Sequence, residues 1–216
     1  MALALLFARA PTTRAQQPSD KVIGQLKRAV VIVTTYDDRG RAQFQGSGFF
    51  ITPERIVTNL HVIKHASRIR IKTFAGKTVT VQTVLATNAN ADLALLQISG
   101  PCPDVTTVEM EYETPAEGES ITVISNPQGS HWKVTRGQAG AIWEFEDSGK
   151  RMQITASILP GSSGGPVFNQ QGHVIGIAVM HTSSGEDFNF AVPAASLKAL
   201  QAAASSATNR ASIQSN

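Results

Sequence analysis

Short apolar segments recur along this chain at the spacing of β-strands, and this repetition most restricts what it can fold into. The segment 30–36 is rich in β-branched residues, and 68–74 alternates polar with apolar residues at the period of a half-buried strand. Turn residues such as those at 37–40 separate neighbouring segments. Strands that recur about every 8 to 12 residues with turns between them predict a sandwich or a barrel.

The strand segments fall into two halves of similar length. A proline-containing stretch at about 101–119 is predicted to link a first half at about 22–100 with a second at about 120–192. Pro193 and the alanine-rich residues after it predict a C-terminal helix over 193–204. The ends, 1–21 and 205–216, are predicted to be a leader or flexible N-terminus and a flexible tail. The other predicted strands are 42–51, 78–81, 93–98, 120–124, 133–144, 152–156, 173–180 and 187–192.

Composition excludes several classes of protein. Hydrophobic residues make up 42% and charged residues 16% of the 216 residues, which argues against disorder. The formal net charge of +3, without a run of like charges, predicts no nucleic-acid partner. Cys102 is the only cysteine, so a disulfide-framed fold is excluded. The histidines lie in no metal-ligand spacing, and no metal or cofactor is predicted.

The N-terminus carries the pattern of a short export leader. An apolar run at 2–8 precedes the triplet Ala-Arg-Ala at 8–10, although the charged front end of a signal peptide is absent. This pattern predicts an extracytoplasmic location, periplasmic or secreted. No apolar run reaches the roughly 18 to 20 residues that a membrane span needs.

The segment 161–166, Gly-Ser-Ser-Gly-Gly-Pro, matches neither a helix nor a strand. Its glycines predict a tight loop whose backbone N–H groups can converge on one point, as stabilisation of an oxyanion requires. A serine in such a loop is a candidate nucleophile if a histidine and a carboxylate stand near it. His61, after a β-branched strand, and Asp92, before an apolar strand, are the candidate partners. Taken singly, each could be an ordinary turn, core or surface residue.

The order His61, Asp92, Ser163 resembles the trypsin-like (chymotrypsin-clan) serine proteases, and most closely their HtrA/Deg branch. The resemblance covers about 22–200. It implies an all-β fold of two six-stranded antiparallel β-barrels, with the active site between them and a short C-terminal helix. The motifs that carry it are GSGFFI at 46–51, IVTNLHV at 56–62, DLALL at 92–96, GSSGGP at 161–166, HVIGI at 173–177 and FAVP at 190–193.

The resemblance also implies a role for each site residue. Ser163 is the predicted nucleophile, His61 the general base and Asp92 the acid that orients it. The backbone N–H groups of Gly161 and Ser163, with Ser162 as a further candidate, form the predicted oxyanion hole. The implied function is a serine endopeptidase that hydrolyses protein or peptide substrates through an acyl-enzyme intermediate, with a role in protein quality control.

Specificity is predicted from the positions around the nucleophile. Ser157 stands where basic-specific trypsins place an acid, so cleavage after Lys or Arg is not predicted. Small aliphatic side chains are expected before the scissile bond, while His181 keeps a glutamyl-type endopeptidase open as an alternative. The candidate pocket residues are Ser157, Ile158, Val179, His181 and Phe188.

The sequence differs in places from what is usual in the family that it resembles, and these differences bear on activation, domain content and assembly. Ser162 replaces the aspartate that pairs with a new N-terminus in animal trypsins, so activation through that ion pair is not expected. The PDZ domain usual in the branch does not fit after the final helix. Oligomeric state stays open, with the trimer of the branch as one option. A catalytically silent or chaperone-like scaffold is the alternative function, although the complete set of three residues favours catalysis.

Overall fold

The structure is a computed structural model that describes residues 17–129, 131–183 and 186–214, without the side chains of 181–188 and 206–214. The described chain forms two closed barrels of six antiparallel strands each, which confirms the predicted fold class. The predicted leader at 2–10 lies outside the described residues. No helix within the described ranges is long and apolar enough to cross a membrane.

The first barrel closes in the order β1-β2-β3-β6-β5-β4. β6 is apolar at five of its six positions and buried at those five, whereas β4 alternates exposed and buried residues as its sequence pattern predicts. Phe50, Ile56 and Leu96 fill the interior. The strands are β1 (Val30–Tyr36), β2 (Ala42–Thr52), β3 (Arg55–Asn59), β4 (Arg68–Lys72), β5 (Thr78–Asn88) and β6 (Leu93–Ile98).

The second barrel closes in the order β10-β11-β12-β9-β8-β7. Val123, Met152 and Val167 lie in its interior. A turn at Pro127–Gly129 follows its first strand and faces the first barrel. The strands are β7 (Ser120–Ser125), β8 (Lys133–Phe145), β9 (Gly149–Ile154), β10 (Pro166–Phe168), β11 (Val174–Ser183) and β12 (Glu186–Pro193).

The barrels share one apolar interface. Phe49 and Leu95 of the first barrel belong to the same buried cluster as Ile124, Phe168 and Ile177 of the second. This shared burial fixes the two barrels against each other, since removing apolar surface from water is the largest favourable term in folding.

The predicted linker packs against both barrels. Cys102 and Val108 within it are buried. The Val108 N–H donates to the Phe50 carbonyl in the first barrel at 3.2 Å, and the Glu111 N–H donates to the Val174 carbonyl in the second at 2.9 Å. The segment therefore fastens the barrels together as well as joining them.

Within the described residues, three α-helices flank the barrels: α1 (Asp20–Lys27), α2 (Leu60–Ile63) and α3 (Ser196–Gln214). α1 was not predicted; Ser19 caps it by accepting the Val22 N–H, and Ile23 and Leu26 are its buried residues. α3 begins three residues after Pro193 and continues ten residues beyond the predicted end at 204. The alanine-rich sequence there contains neither glycine nor proline to stop it.

Gly137 of β8 tests the close contact between β8 and the chain that follows β9. A Cβ atom there would lie 2.3 Å from the Ala156 backbone nitrogen, so Gly137→Ala must separate the two segments. We expect it to lower the free energy of unfolding by about 2–3 kcal/mol. The measurement is chemical denaturation.

Gly24 of α1 is the matched control, because nothing lies within 4 Å of a Cβ built there. Gly24→Ala should raise the free energy of unfolding by up to about 1 kcal/mol, since alanine favours helix. Equal effects of the two substitutions would contradict the packing described here.

Candidate active site

His61 and Asp92 meet because β3 and β6 are paired. The register places Asn59, at the end of β3, opposite Leu93, at the start of β6. His61 lies two residues after Asn59 in α2, and Asp92 lies one residue before Leu93. His61 Nδ1 is 2.6 Å from Asp92 Oδ2, and the His61 backbone N–H donates to Asp92 Oδ1 at 2.8 Å. Both carboxylate oxygens are thus directed to one residue.

Asp92 itself is held by the chain around it. Its carbonyl accepts hydrogen bonds from Asn59 Nδ2 at 2.9 Å and from the Leu60 N–H at 3.1 Å. Its φ of 56° is left-handed, a region that aspartate tolerates better than most residues. The side chain of His61 is 38% exposed and that of Asp92 19%, so the imidazole is more accessible to solvent than the carboxylate that holds it.

A buried cation stands near this pair. Arg151 of β9 is 3% exposed, and its guanidinium donates to the Lys150 carbonyl at 3.0 Å. Burial lowers the pKa of Arg151, while the Asp92 carboxylate acts on it in the opposite direction. The second barrel therefore contributes positive charge near the carboxylate of the first, which the sequence did not predict.

Ser163 lies in the second of two consecutive tight turns, which meet at Ser162. The Ser162 N–H donates to the Leu159 carbonyl at 2.8 Å, and the Gly165 N–H donates to the Ser162 carbonyl at 3.0 Å. Gly161 and Gly164 occupy the left-handed positions of these turns, with φ of 91° and 89°. The glycines on either side of the serine pair therefore serve the turns that present Ser163.

The predicted oxyanion donors differ in their bonding. The Ser162 N–H is committed to Leu159, and Ser162 Oγ contacts the Leu159 N–H at 3.2 Å and Ser125 Oγ at 3.0 Å. Ser162 is 2% exposed, so its role in this structure is to hold the turn. The amides of Gly161 and Ser163 are then the pair on which an oxyanion hole can be built.

Packing brings the Ser163 loop against the strands that lead to His61. A Cβ on Gly164 would lie 2.0 Å from the Ser47 carbonyl oxygen. A Cβ on Gly46 would lie 2.7 Å from Val62, the neighbour of His61, and 3.1 Å from the Ser163 carbonyl oxygen. Because only glycine fits at both positions, β2 can lie between the histidine and the serine loop.

Ser47 of β2 holds the loop across the barrel junction. Its N–H donates to the Ser163 carbonyl at 2.8 Å, and its Oγ donates to the Gly161 carbonyl at 2.8 Å. The same Oγ accepts the Asn126 N–H at 2.9 Å, and its carbonyl accepts from Thr58 Oγ1 at 2.7 Å. The sequence marks Ser47 only as part of the GSGFFI motif. Its role in positioning the serine loop is visible only in the fold, because most of these partners lie far away along the chain.

Phe44 of β2 stands beside the histidine, and no sequence pattern singled it out. Its ring meets the His61 ring edge to face, with centroids 6.1 Å apart at 85°. The side chain is 48% exposed, so it offers apolar surface next to the imidazole.

The predicted specificity residues occupy different environments. Ser157 is exposed, whereas Ile158 and Val179 are buried in two separate apolar clusters. His181 and Phe188 are partners in the β11–β12 pairing, and the structure describes only their backbone. Asn189, which was not predicted, accepts the Ile158 N–H on its Oδ1 at 3.2 Å.

Comparison with protein families identifies the class. Residues 46–177 match the family described as the trypsin-like peptidase domain, and the chain belongs to this family. The matched range contains the paired His61 and Asp92 and the Ser163 loop.

Curated relatives support the same family. The chain is 34% identical over 164 residues to a probable periplasmic serine endoprotease DegP-like of Pseudomonas fluorescens, covering 73% of this chain and 34% of that protein. It is 30% identical over 172 residues to the anti-sigma-I factor RsgI9 of Acetivibrio thermocellus, covering 78% and 24%. The chain thus spans between a quarter and a third of the length of these relatives.

Solved structures share the fold. The active form of the Rv3671c protease from M. tuberculosis superposes with a TM-score of 0.73 at 21% identity, covering 93% of each chain. The serine endoprotease from Yersinia pestis gives a TM-score of 0.72 at 25% identity, covering 88% of this chain and 68% of that one.

Ser47→Ala tests whether this residue positions the serine loop. It removes the bond to the Gly161 carbonyl and leaves the buried Asn126 N–H without its acceptor, so the free energy of unfolding should fall by about 1–3 kcal/mol. The rate at which a fluorophosphonate labels the protein should fall about 10- to 100-fold in protein that is still folded. Ser67→Ala, at an exposed serine, is the control and should change neither. Unchanged labelling in Ser47→Ala would contradict the positioning role.

Proposed function

We propose that this protein is a serine endopeptidase whose catalytic residues are Ser163, His61 and Asp92. The observation that carries the proposal is the bidentate contact between His61 and Asp92, at 2.6 and 2.8 Å. A half-buried carboxylate that accepts from both the backbone N–H and Nδ1 of one histidine fixes the imidazole with Nε2 free to act as a base. The family membership of the chain supports the same assignment.

In the proposed reaction, Ser163 Oγ attacks the scissile carbonyl while His61 Nε2 takes its proton. The resulting oxyanion is bound by the amides of Gly161 and Ser163. His61 then gives the proton to the leaving amine, the C–N bond breaks, and an acyl-enzyme remains on Ser163. Water, activated by His61, hydrolyses the ester. Asp92 stays ionised and stabilises the imidazolium that forms in each half of the reaction.

We further propose small aliphatic specificity before the scissile bond. Ile158 and Val179 are both 6% exposed. Ile158 lies three residues before Gly161, and Val179 follows Ala178, whose backbone bonds to Gly164 and Gly165. Apolar side chains therefore flank the serine loop on both sides in sequence, and Ser157 provides no acid for a basic side chain. Asn189 holds the backbone of Ile158 and is added to the candidate specificity residues.

The cellular setting is proposed from relatives. Several DegP-like relatives are named as periplasmic endoproteases. We propose an extracytoplasmic location and protein substrates, with protein quality control as the role.

Substitution of the triad is the direct test of catalysis. Ser163→Ala and His61→Ala should each lower casein hydrolysis by a factor of about 10⁴ or more, and the double variant should lose little further activity because the residues act as a unit. A fluorophosphonate should label the wild type and not Ser163→Ala. Ser162→Ala is the matched control. The fluorophosphonate should still label this variant, although more slowly than the wild type, because loss of the Ser162 hydroxyl weakens the turn.

The scaffold alternative makes the opposite prediction. If Ser163→Ala digests casein as well as the wild type, or if the wild type takes no label at Ser163, the protein is not a serine endopeptidase. Binding of unfolded protein without cleavage would then favour the chaperone-like scaffold.

A peptide-library cleavage profile tests the specificity. We expect Val, Ala or Ile before the scissile bond, because the candidate residues Ile158 and Val179 are apolar and Ser157 is uncharged. A profile dominated by Glu would overturn this and identify the glutamyl-type alternative, for which His181 is the residue to replace.

A further inference from the structure

A cleft opens beside the serine loop, on the side of the first barrel. It has a volume of about 210 Å³ and is walled by the outer faces of β1, β2, β4 and β5 and by the turn at Pro127–Gly129. We call it the junction cleft, defined by Gln45, Arg70, Lys72 and Gly129.

The junction cleft borders the serine loop. Gln45 follows Phe44 along β2, so their side chains lie on opposite faces of the strand: Phe44 against His61 and Gln45 in the cleft. Gly129 belongs to the turn that supports the serine loop, where the Gln128 N–H donates to the Pro160 carbonyl at 3.2 Å. A Cβ on Gly161 would lie 2.8 Å from the Gln128 nitrogen, so this turn packs directly on the loop. The cleft therefore lies beside the serine loop, between the first barrel and the turn of the second.

In the proposed reaction, the leaving group departs on the side of the site that the first barrel forms. His61 delivers its proton to the departing amine, so the residues after the scissile bond must pass the exposed edge of the imidazole, where Phe44 lies. The candidate specificity residues Ile158 and Asn189 belong to the second barrel and serve the acyl side. The junction cleft is walled mainly by the first barrel.

The cleft carries positive charge that its neighbouring strands do not neutralise. Arg68, Arg70 and Lys72 alternate along β4 with their side chains exposed. In the strand register they stand opposite uncharged residues: Tyr36, Thr34 and Ile32 on β1, and Thr80 and Thr78 on β5. Arg68 stacks on the Tyr36 ring at 5.1 Å.

We propose that the junction cleft binds the leaving-group side of a protein substrate and selects acidic side chains within the first few residues after the scissile bond. This inference rests on the proposed endopeptidase function. Guanidinium and ammonium groups at Arg70 and Lys72 bind carboxylates through charge-assisted hydrogen bonds, whereas basic side chains are repelled. Phe44 contacts the first residue of the leaving group.

The test compares two kinds of substrate that have the same sequence before the scissile bond and differ only after it. The first is a set of internally quenched peptides with Asp, Gln or Lys at the second to fourth positions after the scissile bond. The second is a chromogenic anilide, which has no residues after the bond. We expect the wild type to cleave the Asp peptides about five- to tenfold faster, in kcat/KM, than the Lys peptides. Salt at 0.5 M should reduce this ratio.

The variant Arg70→Glu/Lys72→Glu should invert the preference and leave anilide hydrolysis unchanged. Lys77→Glu is the control, because Lys77 is exposed in the turn between β4 and β5 and does not line the cleft. It should keep the wild-type preference.

The outcomes separate the two proposals. Anilide hydrolysis without an acidic preference, or a preference that both Glu variants share with the wild type, overturns the junction cleft alone. If the wild type hydrolyses neither the anilide nor any peptide, the endopeptidase proposal falls and this inference falls with it.

Discussion

The hydrogen bonds of Ser47 are the constraint on which the candidate site depends. Through its N–H and Oγ, a residue of the first barrel holds the carbonyls of Ser163 and Gly161 in the second. These carbonyls lie on either side of Ser162, so the backbone between them is fixed from outside its own barrel. The shared apolar cluster supplies the energy that joins the barrels, and Ser47 fixes the position of the loop at that interface.

The two halves of the site are built by different means. The pairing of His61 with Asp92 arises inside one barrel, because the register of β3 and β6 brings their ends together. The serine loop comes from the other barrel and owes its shape to left-handed glycines and to contacts with β2. Since the proposed reaction needs all three side chains together, any movement between the barrels should change activity before it unfolds either barrel.

The sequence predicted the parts of this structure that depend on local pattern. The bounds of β1 and β6 agree with those predicted, because both are short apolar runs limited by turns. The sequence does not predict α1, because only two of its residues, Ile23 and Leu26, are buried, which is too few to form a clear helical pattern. The sequence predicts that α3 ends at 204, because the serine and asparagine residues after it are typical of a frayed tail. The helix instead continues to Gln214, since no glycine or proline stops it.

Within the site, family motifs predict His61, Asp92 and Ser163, while the residues around them are visible only in the fold. Phe44 and Asn189 contact residues that lie 17 or more positions away in sequence, and the charge of Arg151 acts on Asp92 from the other barrel, which no local pattern reveals.

The structure of a covalent adduct with a peptidyl phosphonate that carries valine next to phosphorus tests the central claim most directly. The account predicts a bond from Ser163 Oγ to phosphorus and a phosphoryl oxygen about 2.7–3.1 Å from the amide nitrogens of Gly161 and Ser163. It also predicts that the Ser162 N–H remains on the Leu159 carbonyl and that Ser47 keeps its bonds to the loop. An adduct on another residue, or a phosphoryl oxygen that points away from these two amides, would contradict it.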